Sequence, residues 1–140
     1  YLLTAVRQLS GVHLQRFTLF VHGRRLRVRA SEVAVVNAST IGFQALRWSP
    51  DIKVDDGQLE LCILRAVTVV DLVRVFVHAL LGRQRFEPAL RIIPITGGVT
   101  IVARRDMPIQ ADGDIIGCSP VHVVLVRQAL HVIVPPLTHS

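Results

Sequence analysis

Aromatic side chains make up only 5% of this 140-residue chain: one Trp, one Tyr and five Phe. That scarcity argues against a surface that stacks unpaired bases, so nucleic acid is not an expected partner. Cysteine is rarer still. Cys62 and Cys118 lie far apart, outside any CxxC or Cys/His cluster, which speaks against a disulfide framework or a zinc site and suits two core thiols. The six histidines are scattered without metal-ligand spacing. No G-x-x-x-x-G-K-S/T, G-x-G-x-x-G or G-x-S-x-G segment occurs, so the signatures of a phosphate loop, a dinucleotide turn and a nucleophile elbow are all missing. Long apolar runs are missing too. The longest, Val67 to Leu81, is broken by Asp71, Arg74 and His78 and is shorter than the roughly 20 residues of a membrane span. The chain opens on Tyr1 with no basic-then-apolar leader behind it, and is expected to be a piece of a longer protein.

What is present points to one folded domain. Half of the chain, 51%, is hydrophobic and 19% is charged, enough apolar content to offset the entropy of ordering 140 residues. Sixteen Lys+Arg against ten Asp+Glu give a net charge of +6, and Lys53 is the only lysine. Such a balance suits an anionic partner, whether a phosphate, a nucleic acid or an acidic membrane surface, without choosing among them.

The periodicity is mainly that of strands. Leu2 to Leu9 suits the end of a short helix. Phe17, Leu19 and Val21 alternate with Arg16, Thr18 and Phe20, and His22-Gly23 then forms a turn. Arg25, Arg27 and Arg29 alternate with Leu26, Val28 and Ala30, completing a β-hairpin. The three arginines are read as a solvated outer face that blunts an edge strand rather than as an anion site. Glu32 to Ala38 makes a third strand, Ser39 to Gly57 a long irregular loop, and Gln58 to Leu64 a fourth strand. Thr68 to Gly82 is the one long helix. Val69, Leu72, Val73, Phe76 and Leu80 form its apolar stripe, expected to pack on a sheet, with Asp71, Arg74 and His78 on the other side. Strands at Leu90–Ile95, Val99–Arg104, Ile109–Ala111, Val121–Val126 and Leu130–Val134 follow, with turns at Gly97-Gly98, Asp112-Gly113 and Arg127-Gln128. The expected fold is mainly β, a sandwich of antiparallel strands with one α-helix inserted at about residues 68–82.

Two acidic turns are the candidates for chemistry. In Lys53-Val54-Asp55-Asp56-Gly57-Gln58, paired carboxylates beside free loop carbonyls suit a hard cation, though Asp-Asp-Gly is also an ordinary turn before a strand. In Asp112-Gly113-Asp114, a tight turn aims a carboxylate as a general base requires, and a plain hairpin turn reads the same.

In order along the chain stand Asn37-Ala38, Gly42, Ser49-Pro50-Asp51, Asp55-Asp56-Gly57-Gln58-Leu59-Glu60-Leu61, a helix ending in Gly82, Asp112-Gly113-Asp114, Pro120, and Ala129-Leu130-His131-Val132-Ile133-Val134-Pro135. This order resembles the C-terminal domain of the diacylglycerol kinase catalytic family, its bacterial soluble branch above all, over nearly the whole chain. The resemblance implies a two-domain lipid kinase that transfers the γ-phosphoryl group of ATP to a lipid hydroxyl with Mg²⁺. Residues 1–140 would be its C-terminal sandwich, and the nucleotide-binding α/β domain, with its Gly-Gly-Asp-Gly loop, would be a partner in cis absent from this chain. A structural Mg²⁺ would be held by the Asp56 carboxylate and the carbonyls of Lys53 and Gln58. Asp114 stands where the family has a Glu, the base for the lipid hydroxyl, and is one methylene shorter; Asp112 would orient the cleft or help with the catalytic metal network. The resemblance further implies a cytoplasmic protein peripheral to the membrane. The fragment alone is expected to be inactive, and an open sheet edge would favour a homodimer. The alternative is a non-enzymatic lipid-binding or interaction module that keeps the sandwich without catalysis.

Overall fold

The computed structural model describes residues 13–37, 40–41, 43–47, 56–83 and 86–129. The first hairpin forms as its alternation predicts: β1 (Gln15–Val21) pairs antiparallel with β2 (Arg24–Ala30) across His22 and Gly23, both at positive φ. β3 (Glu32–Val36) follows after a single residue. At that corner Ser31 donates both its amide and its hydroxyl to the Leu64 carbonyl, at 2.8 and 3.0 Å, and the chain passes from one sheet to the other. Two short strands come next, β4 (Thr40–Ile41) and β5 (Phe43–Arg47). They lie inside the stretch expected to be an irregular loop, which is corrected to that extent. β6 (Leu59–Leu64), α1 (Val69–Leu80), β7 (Leu90–Ile95), β8 (Gly98–Ala103), β9 (Pro108–Ala111), β10 (Asp114–Cys118) and β11 (Val121–Val124) complete the order.

The strands assemble as a four-stranded sheet in the order β11-β8-β1-β2 and a three-stranded sheet in the order β3-β6-β7; β4-β5 and β9-β10 form separate hairpins. Phe17, Leu19, Val99 and Ile101 of the first sheet pack with Leu59, Leu61, Ile63 and Ile95 of the second in one buried cluster. Each set recurs at every second residue, so each sheet turns one apolar face inward, as a sandwich requires. The fold is therefore the sandwich, with one α-helix among the described residues. β6 is central and buried on both faces, which encloses Glu60 and Cys62 as well as the leucines. The strand expected at Leu130–Val134 and the helix at Leu2–Leu9 lie outside the described residues. β10 is a strand the alternation missed, because a bulge between Ile115 and Gly117 breaks the period of two.

The helix holds the main surprise. Thr68 and Asp71 form a reciprocal capping box at its start, and Gly82, at positive φ, lets the Arg83 amide reach the His78 carbonyl at 2.8 Å and close its end. The side that carries Asp71 and His78 faces the protein, with Leu72 and Val75 half-buried along it. Arg74 Nε lies 2.9 and 3.1 Å from the two Glu87 oxygens, His78 Nδ1 is 2.9 Å from Oε2, and the Ala89 amide donates to Oε1 at 2.9 Å. Glu87 is buried, and no helix residue is. Of the apolar stripe expected on a sheet, Val69, Val73, Phe76 and Leu80 are exposed instead and only Leu72 is half-buried, and Val70 and Val77 beside them are exposed too. A buried carboxylate is stable only when paired, and the helix supplies the Arg74 guanidinium, with the His78 ring beside it. That requirement sets which face turns inward.

Candidate functional site

The Asp56 turn sits at the entrance to β6. Asp56 is exposed, and one of its oxygens accepts the Gln58 amide at 2.9 Å across Gly57, which has φ +69°. A Cβ on Gly57 would come within 3.1 Å of the Arg127 guanidinium. Two residues into the strand, Glu60 is buried and its Oε2 has no hydrogen-bond partner among the described residues. Burial first, and then the charge of Asp56, push the Glu60 carboxyl above its ordinary range. An orphaned carboxylate oxygen that feels the charge of a second carboxylate fits a hard cation that takes oxygen ligands. Among the described residues no group of three or more His, Cys, Asp and Glu comes together, so a cation here would draw on backbone carbonyls as well. Lys53, one of the expected ligands, lies outside the described residues. Glu60 escaped the reading because it occupies an alternating position in a strand; its signal was a carboxylate where a strand buried on both faces needs an apolar side chain.

The Asp112 turn tips the β9-β10 hairpin. Asp112 (φ +50°) and Gly113 (φ +103°) form a two-residue loop, and Asp114 opens β10 opposite Ala111. Positive φ at both loop positions matches the right-handed twist of the flanking strands, which selects Asp-Gly there. Ser119 pins the base of the hairpin to the sandwich: its hydroxyl accepts the Ala103 amide at 2.8 Å and its amide donates to the Met107 carbonyl at 2.8 Å.

Between this hairpin and the sandwich runs a groove of about 540 Å³. Val33 and Val35 of β3, Ile101, Ile109, Val121 and Val123 give it an apolar lining, and Asp112 and Gly113 stand among its walls. Asp114 is exposed and does not line it. The structure thus brings Asp112 to an apolar groove and keeps Asp114 one residue beyond it. Asp56, Glu60 and Gln58 form a separate locus that shares no residue with the groove lining.

Cys62 is buried, and burial with the charges of Glu60 and Glu32 pushes its thiol up to about 12, so it is a packing residue. Cys118, by contrast, is exposed. Among the described residues no helix is long and apolar enough to cross a membrane.

Two solved structures from Bacillus anthracis str. Sterne share this architecture. One, a diacylglycerol kinase, is 17% identical, with a TM-score of 0.66 over 91% of this chain and 42% of its own. The other, given that activity only provisionally, is also 17% identical, with a TM-score of 0.69 over 89% of this chain and 42% of its own. The chain therefore spans about two fifths of the length of these structures, and the likeness is one of fold. None of the curated proteins matches it. The family model of the YegS C-terminal NAD kinase β-sandwich-like domain matches residues 1–134. With nearly the whole chain covered by that model and the sandwich it describes present in the structure, the chain belongs to this kinase-like family.

Proposed function

We propose that the chain is the C-terminal, substrate-holding domain of an ATP- and Mg²⁺-dependent lipid kinase of the diacylglycerol kinase type. The observation that carries the reading is the apolar groove of about 540 Å³ walled at one point by the Asp112-Gly113 turn. An acyl tail belongs in such a lining, and a primary hydroxyl at its head would then meet carboxylates. Asp114 takes the hydroxyl proton, and Asp112, already in the wall, orients the hydroxyl for in-line attack. Phosphoryl transfer depends chiefly on position and charge neutralisation, so these two aspartates supply positioning and a proton acceptor. ATP is assigned to an α/β domain in cis.

Asp56, with the carbonyls of Lys53 and Gln58, would hold Mg²⁺, and the orphaned Glu60 oxygen supports a cation at that turn. Bound there, the ion supplies charge neutralisation and order to the loop. The outward apolar stripe of α1 supports work at a membrane surface from the cytoplasmic side. Edge pairing across β2 is opposed by Arg25, Arg27 and Arg29, so a homodimer is assigned to another sheet edge.

The test is transfer of label from γ-labelled ATP, with Mg²⁺, to a panel of lipid alcohols by the gene product that contains this chain. Labelled lipid is expected, and the purified 140-residue chain is expected to give none. Failure of the gene product on every lipid, with the lipid still bound, would replace this reading with the non-enzymatic binding module.

A further inference from the structure

The arginines of β2 alone look like the guard of an edge strand, and among the described strands β2 is indeed an edge. The sheet register adds what the sequence does not display. Arg16 of β1 sits directly across from Arg29, and the Arg104 amide, just past β8, donates to the Arg16 carbonyl at 3.0 Å. Three neighbouring strands thus deliver Arg16, Arg29 and Arg104 to one end of the outer sheet face, where Arg105 joins them around a notch of about 440 Å³ completed by Leu14 and Gln15. Among the described residues none of these four guanidiniums makes an ion pair or a side-chain hydrogen bond. Among the described residues no carboxylate lines the notch.

Four like charges held together without a counter-charge repel one another, and solvent screening relieves this only in part. Guarding an edge requires neither Arg16 nor Arg104, since β1 and β8 are interior strands. Each guanidinium offers a planar fork of donors that matches two oxygens of a phosphate. A second cavity, of about 500 Å³, continues from the notch through Arg16, Arg29 and Arg104 to Phe17 and Ala103, which also line the apolar groove.

From this placement we infer that Arg16, Arg29, Arg104 and Arg105 form a phosphate-binding site on the outer face of the four-stranded sheet. Its ligand carries a phosphate group, either free in solution or as the headgroup of an anionic lipid. The site stands on this placement of the four arginines and holds whether or not the chain serves a lipid kinase.

The test uses the 140-residue chain in two arms. One titrates inorganic phosphate and follows the melting temperature. The other measures co-sedimentation with vesicles of phosphatidylcholine containing phosphatidylglycerol, against phosphatidylcholine alone. An Arg29→Gln, Arg104→Gln double variant is compared with an Arg83→Gln, Arg91→Gln control of equal net charge, all four positions being exposed and circular dichroism confirming that both fold. The notch variant is expected to lose about tenfold in affinity per arginine in whichever arm binds, and the control to lose little. Binding in the phosphate arm alone assigns a soluble ligand, and binding to vesicles alone assigns a headgroup. Equal loss in notch and control variants would reduce the feature to bulk positive charge and overturn the site, as would binding in neither arm.

Discussion

At the scale of single residues, burial decides what each reactive side chain can do. Cys62 and Cys118 are alike in sequence, yet one is buried with its thiol pushed up to about 12 and the other is exposed. Iodoacetamide is therefore expected to label Cys118 in the folded chain and Cys62 only after denaturation, as peptide mass spectrometry would show; early labelling of Cys62 would mean that β6 opens readily. Glu60 is the counterpart among carboxylates, with a buried oxygen that nothing in the described protein satisfies. Added Mg²⁺ is expected to raise the melting temperature of the wild-type chain and to leave an Asp56→Asn variant nearly unmoved. Equal shifts in both would remove the ion from this turn. The acidic turns themselves were legible, because Asp-Asp-Gly and Asp-Gly-Asp are local signals. Glu60 was not, since its burial depends on strands contributed from both sides of β6.

At the scale of elements, the helix shows where periodicity stops informing. The 3.6-residue spacing placed Asp71, Arg74 and His78 opposite Val69, Leu72, Val73, Phe76 and Leu80, and of that stripe all but the half-buried Leu72 lie exposed, away from the side that meets Glu87. Which side faces inward was set by Glu87, a residue beyond the helix that lies buried and needs cations. Burial pushes the Glu87 carboxyl up, but the bonds from Arg74 and the Ala89 amide, with the charges of Arg74 and His78, outweigh it and hold the group below its ordinary value of 4.5. A carboxyl lowered on folding adds stability that is present above its unfolded value and is lost as pH falls through the folded one. Melting measured against pH should therefore show the wild type losing stability below about pH 4.5, and Glu87→Gln starting lower at neutral pH with a shallower acid slope. Parallel curves would detach Glu87 from the acid response. The outward stripe carries its own prediction: Val73→Asp and Phe76→Asp should reduce co-sedimentation with lipid vesicles while leaving the melting temperature nearly unchanged. A large loss of stability instead would show that this face packs against protein. The same limit explains β10, whose bulge hides its strand period, and β4 and β5, two short strands in a stretch read as a loop.

At the scale of the whole molecule, the sandwich rests on one shared cluster in which Leu61 has no exposed surface. Leu61→Ala should cost roughly 2–5 kcal/mol in denaturant unfolding, the range for a buried leucine whose cavity only partly collapses. A small change would place the centre of the core elsewhere. The sandwich class was readable because alternating apolar residues recur strand after strand, and the ordered motifs carried the family. What joins the parts was not readable. The apolar groove depends on Ser119 pinning the hairpin to the end of β8, beside β3 and β11, and the arginine notch depends on three neighbouring strands. Both arise from contacts far apart in sequence.

The central claim is that a lipid hydroxyl is presented to the acidic turn at the groove wall. Its most direct test compares the gene product with its Asp112→Asn and Asp114→Asn variants in the labelled-ATP lipid assay, matched for folding by circular dichroism. The account predicts labelled lipid from the wild type, almost none from Asp114→Asn, and a marked loss from Asp112→Asn, with lipid binding retained in all three. Labelled lipid from both variants at the wild-type rate would contradict it, and the hydroxyl would then have to be positioned away from the β9-β10 hairpin.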